Sequence, residues 1–195
     1  MVIPLALFII ISDQITKFMV EDHFKAPHNY EFLQYENYPG AKEEFDAADK
    51  IPPVEMFRTK LLSFEFNHVI NQGAAWGIFQ GNMKPLSMVS IIVFILLFIW
   101  HEKYTEGFRE REISLGLLLG GIFGNFIDRF GMFGRVGVVD FLDFDIIKYN
   151  FPSFNIADAA ICIAVIIYCI SSFIRPDKKK EEEKSEKDSV EEQAA

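Results

Sequence analysis

Four apolar runs dominate the chain and limit what it can become: residues 2–20 (VIPLALFIIISDQITKFMV), about 86–100, about 113–130 and about 155–174. A bilayer is crossed by roughly 20 helical residues. Inside lipid every backbone polar group must find its partner within the segment, so runs of this length are read as helices. The expected fold class is therefore an all-α membrane protein with four transmembrane helices. The second run is short and borrows flanking residues, with Pro85 near its start and Trp100 as an interfacial anchor. The first run lacks a basic leading region and a small-x-small cleavage site, and it contains Asp13 and Lys17. It is expected to be a retained span and not a signal peptide.

Short loops set the orientation. Lys103, Arg109 and Arg111 lie between the second and third runs, and Arg175, Lys178, Lys179 and Lys180 follow the fourth. Basic residues beside spans mark the cytoplasmic side, which puts both termini in the cytoplasm and segments 21–85 and 131–154 outside. Polar residues then fall at one depth. Asp13 and Lys17 lie toward the outer end of span one, and Asn125, Asp128 and Arg129 at the outer end of span three. Asn155 and Asp158 open span four, and Asp140 sits in the outer connection. Ionisable groups at a membrane are costly and mark functional candidates.

The remaining segments are polar. Residues 21–60 are acidic and turn-rich, and Pro52-Pro53 excludes a continuous helix there. This is read as an extramembrane elaboration or lid, or simply a mobile loop. Phe64 and Phe66 alternate with Glu65 and Asn67, the pattern of a strand with one greasy face, suited to a small β platform along the headgroups. Residues 176–195 read as a disordered charged tail whose loss should be harmless, leaving one domain over 1–175. The net charge of −9 comes largely from these polar parts, and no basic patch interleaved with aromatics suggests a nucleic-acid partner.

The polar cluster narrows the chemistry. His23, His28, His68 and His101 are scattered without ligand spacing, so no metal site is expected. Cys162 and Cys169, seven apart in an apolar helix, are read as small buried hydrophobes. A Ser–Lys dyad using Lys17 ranks low, because Asp13, four residues earlier on the same helix face, would hold the proton on Lys17. That pair could equally satisfy itself inside the bundle. Carboxylates remain. Two close Asp cannot both ionise easily, so such a pair supplies a base and an acid, enough to activate water against a peptide carbonyl. These residues point to an aspartyl peptidase or to a non-enzymatic membrane protein, a small transporter or assembly factor, whose buried carboxylates relay protons or bind a partner. Residues alone do not choose Asp140 over Asp143.

Five tracts in order carry a resemblance: DQITK at 13–17, NQGAAWG at 71–77, GGIFGNFIDR at 120–129, VVDFLDF at 138–144 and FNIADAAI at 154–161. Together they resemble the lipoprotein signal peptidases (signal peptidase II), small four-span intramembrane aspartyl peptidases of the bacterial inner membrane. The resemblance implies removal of signal peptides from diacylglyceryl-modified prolipoproteins at the outer membrane face, without metal or organic cofactor. It implies Asp140 and Asp158 as the catalytic pair, with Asn71, Asn125, Arg129, Asn155, Asp13 and Lys17 shaping the site or holding substrate. Arg129 would bind a peptide carbonyl or pair with Asp128, which is assigned mainly to structure. Asp143 and Asp145 are assigned to a solvated loop. The expected partners are lipid-modified prolipoproteins and membrane lipid, with the chain acting as a monomer. Two departures stand out: a long insertion at about 26–60, and Trp76 where the family commonly has Phe.

Overall fold

The structure, a computed structural model, describes residues 1–24, 53–59, 61–73, 83–147 and 149–175. Most of the 26–60 insertion, Ala74–Gly77 with Trp76, and the 176–195 tail lie outside the described residues. Among those described, five helices and a small sheet follow one another: α1 (Val2–His23), β1 (Val54–Arg58), β2 (Leu62–Asn71), α2 (Met83–Ile99), α3 (His101–Thr105), α4 (Arg109–Arg129), β3 (Val138–Ile146), β4 (Tyr149–Phe154) and α5 (Ile156–Ile174). Helices α1 and α5 are long and apolar enough to cross a membrane; α2 is apolar but has 17 residues. Helix α4 bears Arg109, Glu110, Arg111 and Glu112 at its start and Asp128 and Arg129 at its end.

Helix α1 shows how the bundle is organised. Pro4 falls in its first turn, where no N–H has an intrahelical acceptor to lose. Its buried face carries Asp13, Gln14, Lys17 and Glu21 beside Ala6 and Ile9, while Ile3, Leu7, Phe8, Ile11, Ile15 and Met19 all point outward. Polar inside and apolar outside is the reverse of a water-soluble helix. It suits a helix whose outer face meets lipid. The same inversion corrects the reading of Cys162 and Cys169: both are exposed on the outer face of α5. Apolar surroundings in the sequence mean burial only where the solvent is water.

Helix α4 lies at the centre and is approached from both sides. A Cβ on Gly120 would sit 2.7 Å from Ile9 Cβ and 2.9 Å from the Ala6 carbonyl oxygen, and one on Gly124 would sit 3.3 Å from Ala157 Cβ. Bare glycine surface lets α1 and α5 press against the α4 backbone, the packing that replaces hydrophobic drive inside a bilayer. Helix α2 packs on α4 through Phe94 and Phe123, ring centroids 5.2 Å apart.

The sheet is an antiparallel meander in the order β1-β2-β3-β4. Registered neighbours Phe57, Phe64, Phe144 and Phe151 form an aromatic row across all four strands. Phe64 and Phe144 stack at 4.5 Å. The expected alternating strand is present, and its polar partners correct another expectation. Asp143 and Asp145 belong to β3 and not to a solvated loop. Asp143 accepts from Asn67 (2.6 Å) and Ser153 (3.2 Å), and Asp145 from Ser63 (3.1 Å). The register shifts between Phe66 and Val69, opposite the stretch that begins with Asp140. A bulge there re-aims the side chains that follow.

Candidate active site

The site assembles from four elements, α5, β3, β2 and α4, that meet at one end of the bundle. Helix α5 begins with a capping box. Asn155 Oδ1 accepts from the Asp158 N–H at 2.9 Å, while Asp158 Oδ2 accepts from the Asn155 N–H at 3.4 Å. This reciprocal arrangement satisfies two otherwise orphaned donors and sets the start of the helix. It also leaves the Asn155 amide nitrogen free to face β3, where it donates to Asp140 Oδ1 at 2.7 Å. The other oxygen of Asp140 accepts from Asn71 Nδ2 at 3.0 Å. Asn71, at the end of β2, is held in turn by the Gly73 N–H, which donates to its Oδ1 at 3.0 Å.

Helix α4 closes the circuit. Asn125 Nδ2 donates to Asp158 Oδ1 at 2.7 Å, and Asn125 Oδ1 accepts from Asn155 Nδ2 at 3.1 Å. Asp140 and Asp158 are thus tied to one another through two asparagines. Asp140, Asn125 and Asn155 are buried, while Asp158 is half-buried. Burial, followed by the Asp158 charge, pushes the Asp140 carboxyl up to about 7; Asn71, Lys17 and Asn155 pull the other way.

Behind the asparagines lies a buried ionic layer. Lys17 Nζ reaches Asp13 Oδ2 at 2.7 Å, Asp128 Oδ2 at 2.6 Å and Asn125 Oδ1 at 3.1 Å, and both ion pairs are fully buried. Asp13 Oδ1 accepts the Ala157 N–H at 3.0 Å, so α1 also helps cap α5. Asp13 and Lys17 therefore satisfy each other and buttress the site from behind. Asp128 pairs with Lys17 and Arg135 (2.7 Å), not with Arg129. Arg129 feels the charges of Asp158, Asp140 and Asp128, and among the described residues it makes no hydrogen bond or ion pair with any of them. Its guanidinium stands beside the two carboxylates without neutralising either through direct contact.

Sequence reasoning missed Glu21 and Arg135. Glu21 had a signal: it continues the i, i+4 series of Asp13 and Lys17 on the buried face of α1. Arg135 had none, because the turn that delivers it depends on left-handed backbone at Gly131, Phe133 and Gly134. No group of His, Cys, Asp and Glu suited to holding a metal ion occurs among the described residues.

A membrane enzyme is what this fold resembles. A bacterial membrane enzyme solved by the in meso method at 2.3 Å resolution superposes with a TM-score of 0.60 at 30% identity, over 87% of this chain and 85% of that one. A second such structure, at 1.9 Å resolution, gives 0.59 at 30% identity, over 86% of this chain and 88% of that one. Two curated relatives are both named lipoprotein signal peptidase. The one from Bacillus velezensis is 36% identical over 91% of this chain and 97% of its own length, and the one from Bacillus subtilis is 34% identical over 92% and 97%. The family model for signal peptidase (SPase) II matches residues 5–174, and the chain belongs to that family. It is a bacterial membrane protease, and the non-enzymatic alternative finds no support among its relatives.

Proposed function

We propose that this chain is an aspartyl endopeptidase that removes signal peptides from diacylglyceryl-modified prolipoproteins at the outer face of the cytoplasmic membrane. The observation that carries the proposal is the Asp140–Asn155–Asn125–Asp158 hydrogen-bond circuit, which holds two carboxyl groups from different elements in one partly closed site. Asp140, raised to about 7, can hold its proton near neutral pH while Asp158 serves as base. Asp158 takes a proton from water as the oxygen attacks the scissile carbonyl carbon, and Asp140 gives its proton to the carbonyl oxygen. The tetrahedral diol collapses as its hydroxyl proton returns to Asp140. The C–N bond breaks and the amine leaves with the proton held by Asp158. Asn71, Asn125 and Asn155 hold the carboxylates, and Arg129 is assigned to a substrate carbonyl, for which its fork geometry is suited.

Helices α1, α2, α4 and α5 are taken as the four spans, with both termini in the cytoplasm. The outward apolar face of α1 and the buried polar one support this arrangement. The aromatic row of the sheet and exposed Ile147, Tyr149 and Phe151 favour a sheet lying against the headgroups, where aromatic side chains are at home. A lipid-anchored precursor would present its cleavage point at that depth. The chain is proposed to work as a monomer, without metal or organic cofactor, on lipidated precursors held in the surrounding lipid. Cleavage of a diacylglyceryl-modified precursor in detergent or vesicles tests the whole: the wild type should release the signal peptide, and Asp140→Asn and Asp158→Asn should not.

A further inference from the structure

The buried layer behind the site contains a second cation that the proposed reaction does not use directly. Arg135 is 2% exposed. Its Nε and Nη2 grip both oxygens of Glu21 at 2.9 and 2.7 Å, a bidentate pair to the outer end of α1. Its Nη1 donates to Gln14 Oε1 and to Asp128 Oδ1, each at 2.7 Å. The guanidinium lies over the Phe18 ring, 4.7 Å from its centroid. Phe133, a non-glycine residue at φ 62°, packs its own ring 5.1 Å from Phe18 and 5.8 Å from the Arg135 guanidinium. An aromatic residue in left-handed backbone persists only where its surroundings hold it there.

We propose that Arg135 is a positioning residue for the peptidase reaction, clamping the turn before β3 to α1 and α4 so that Asp140 is held at the level of Asp158. Two routes lead from the clamp to the pair. In the first, Arg135 engages Asp128 Oδ1, and Asp128 Oδ2 accepts from the N–H of Val139, the residue before Asp140, at 3.5 Å. In the second, Asp128 binds Lys17, Lys17 binds Asn125 Oδ1, and Asn125 binds Asp158. The clamp also balances charge. Asp13, Glu21 and Asp128 are three buried carboxylates served by two buried cations, Lys17 and Arg135. Without Arg135, Glu21 loses its cation and Asp128 must draw harder on Lys17, at the expense of Asn125. A buried charge that loses its partner is strongly disfavoured, so the layer must rearrange.

This inference rests on the peptidase reading and is tested beside it. The charged groups facing Asp140 are Lys17 on α1, Arg129 on α4 and Asp158 on α5; those facing Arg135 are Glu21 on α1 and Asp128 on α4. The test compares wild type, Arg135→Gln, Arg135→Lys and Glu21→Gln in cleavage of a diacylglyceryl-modified precursor, with kcat and KM measured across pH and normalised to the folded fraction. Arg135→Gln should lower normalised kcat by roughly tenfold or more, leave KM within about twofold, and move the descending limb of the pH profile upward by roughly half a pH unit. Arg135→Lys keeps the charge and should leave that limb in place. Glu21→Gln removes a negative charge instead and should move the limb downward, a result that stays readable if Arg135→Gln does not fold. A clamp that merely stabilises the fold would lower the folded fraction and leave normalised kcat and both limbs unchanged, and that outcome overturns the inference. Failure of the wild type itself to cleave the precursor would overturn the peptidase reading instead.

Discussion

Asn155 is the residue on which fold and chemistry depend together, and replacing it separates the two. Asn155→Ala removes a helix cap, which costs about 1 kcal/mol. Above pH 7, where Asp140 is ionised, it also removes a donor to a buried carboxylate oxygen 2.7 Å away, a bond worth roughly 2 kcal/mol. The expected loss of stability is about 3 kcal/mol in all, or several degrees in Tm. Asn155→Ser keeps an acceptor for the Asp158 N–H but is too short to span to Asp140, so it should recover about 1 kcal/mol of the loss and none of the activity. Asn155 also favours the ionised form of Asp140, so in residual turnover by either variant the alkaline fall should shift to higher pH. The assay is precursor cleavage alongside thermal unfolding in the same detergent. Wild-type turnover by Asn155→Ala, or activity restored by Asn155→Ser, would refute the assignment of the amide to the carboxylate pair.

Two further outcomes follow from the geometry. The Asp140 carboxyl is lifted from 3.8 to about 7 in the folded state. It therefore costs stability as pH rises above about 4, the full cost being reached above 7 and on the order of 4 kcal/mol at most. Asp140→Asn should accordingly melt higher than wild type at pH 8 and lose that advantage near pH 4, as thermal unfolding at the two pH values will show. Gly120→Ala would place a methyl group 2.7 Å from Ile9 Cβ; it should lower stability by roughly 1–3 kcal/mol by prising α1 from α4, with the altered helix packing visible in thermal unfolding.

Much of this was legible in the residues, for identifiable reasons. Hydropathy located the helices α1, α2, α4 and α5 to within a few residues, and α1 and α5 are long and apolar enough to cross a membrane. The capping box is visible in the sequence as Asn155 three before Asp158. What hydropathy could not supply was which Asp of VVDFLDF turns inward. Asp140 and Asp143 fall on opposite faces of β3 by simple alternation, and which face meets Asn155 is set by how the sheet packs on the bundle, a three-dimensional feature with no residue signature here. Asp143 and Asp145 looked like loop residues because the polar face of a sheet and a solvated loop have the same composition. Arg135 carried no signal in the sequence, since its burial depends on a turn closed by Gly131, Phe133 and Gly134. Arg111 misled: counted as a loop cation, it is fully buried, pairs with Glu106 at 2.8 Å and caps the end of α5 through the Arg175 carbonyl at 2.9 Å.

The central claim is that Asp140 and Asp158 together cut a peptide bond. The most direct measurement is single-turnover cleavage of a diacylglyceryl-modified precursor by wild type, Asp140→Asn and Asp158→Asn, each confirmed folded by thermal unfolding. Loss of either member of an acid–base pair should cost at least about 10²–10⁴ in rate, so both variants are predicted to release no signal peptide above background. Near-wild-type cleavage by either folded variant would contradict the account.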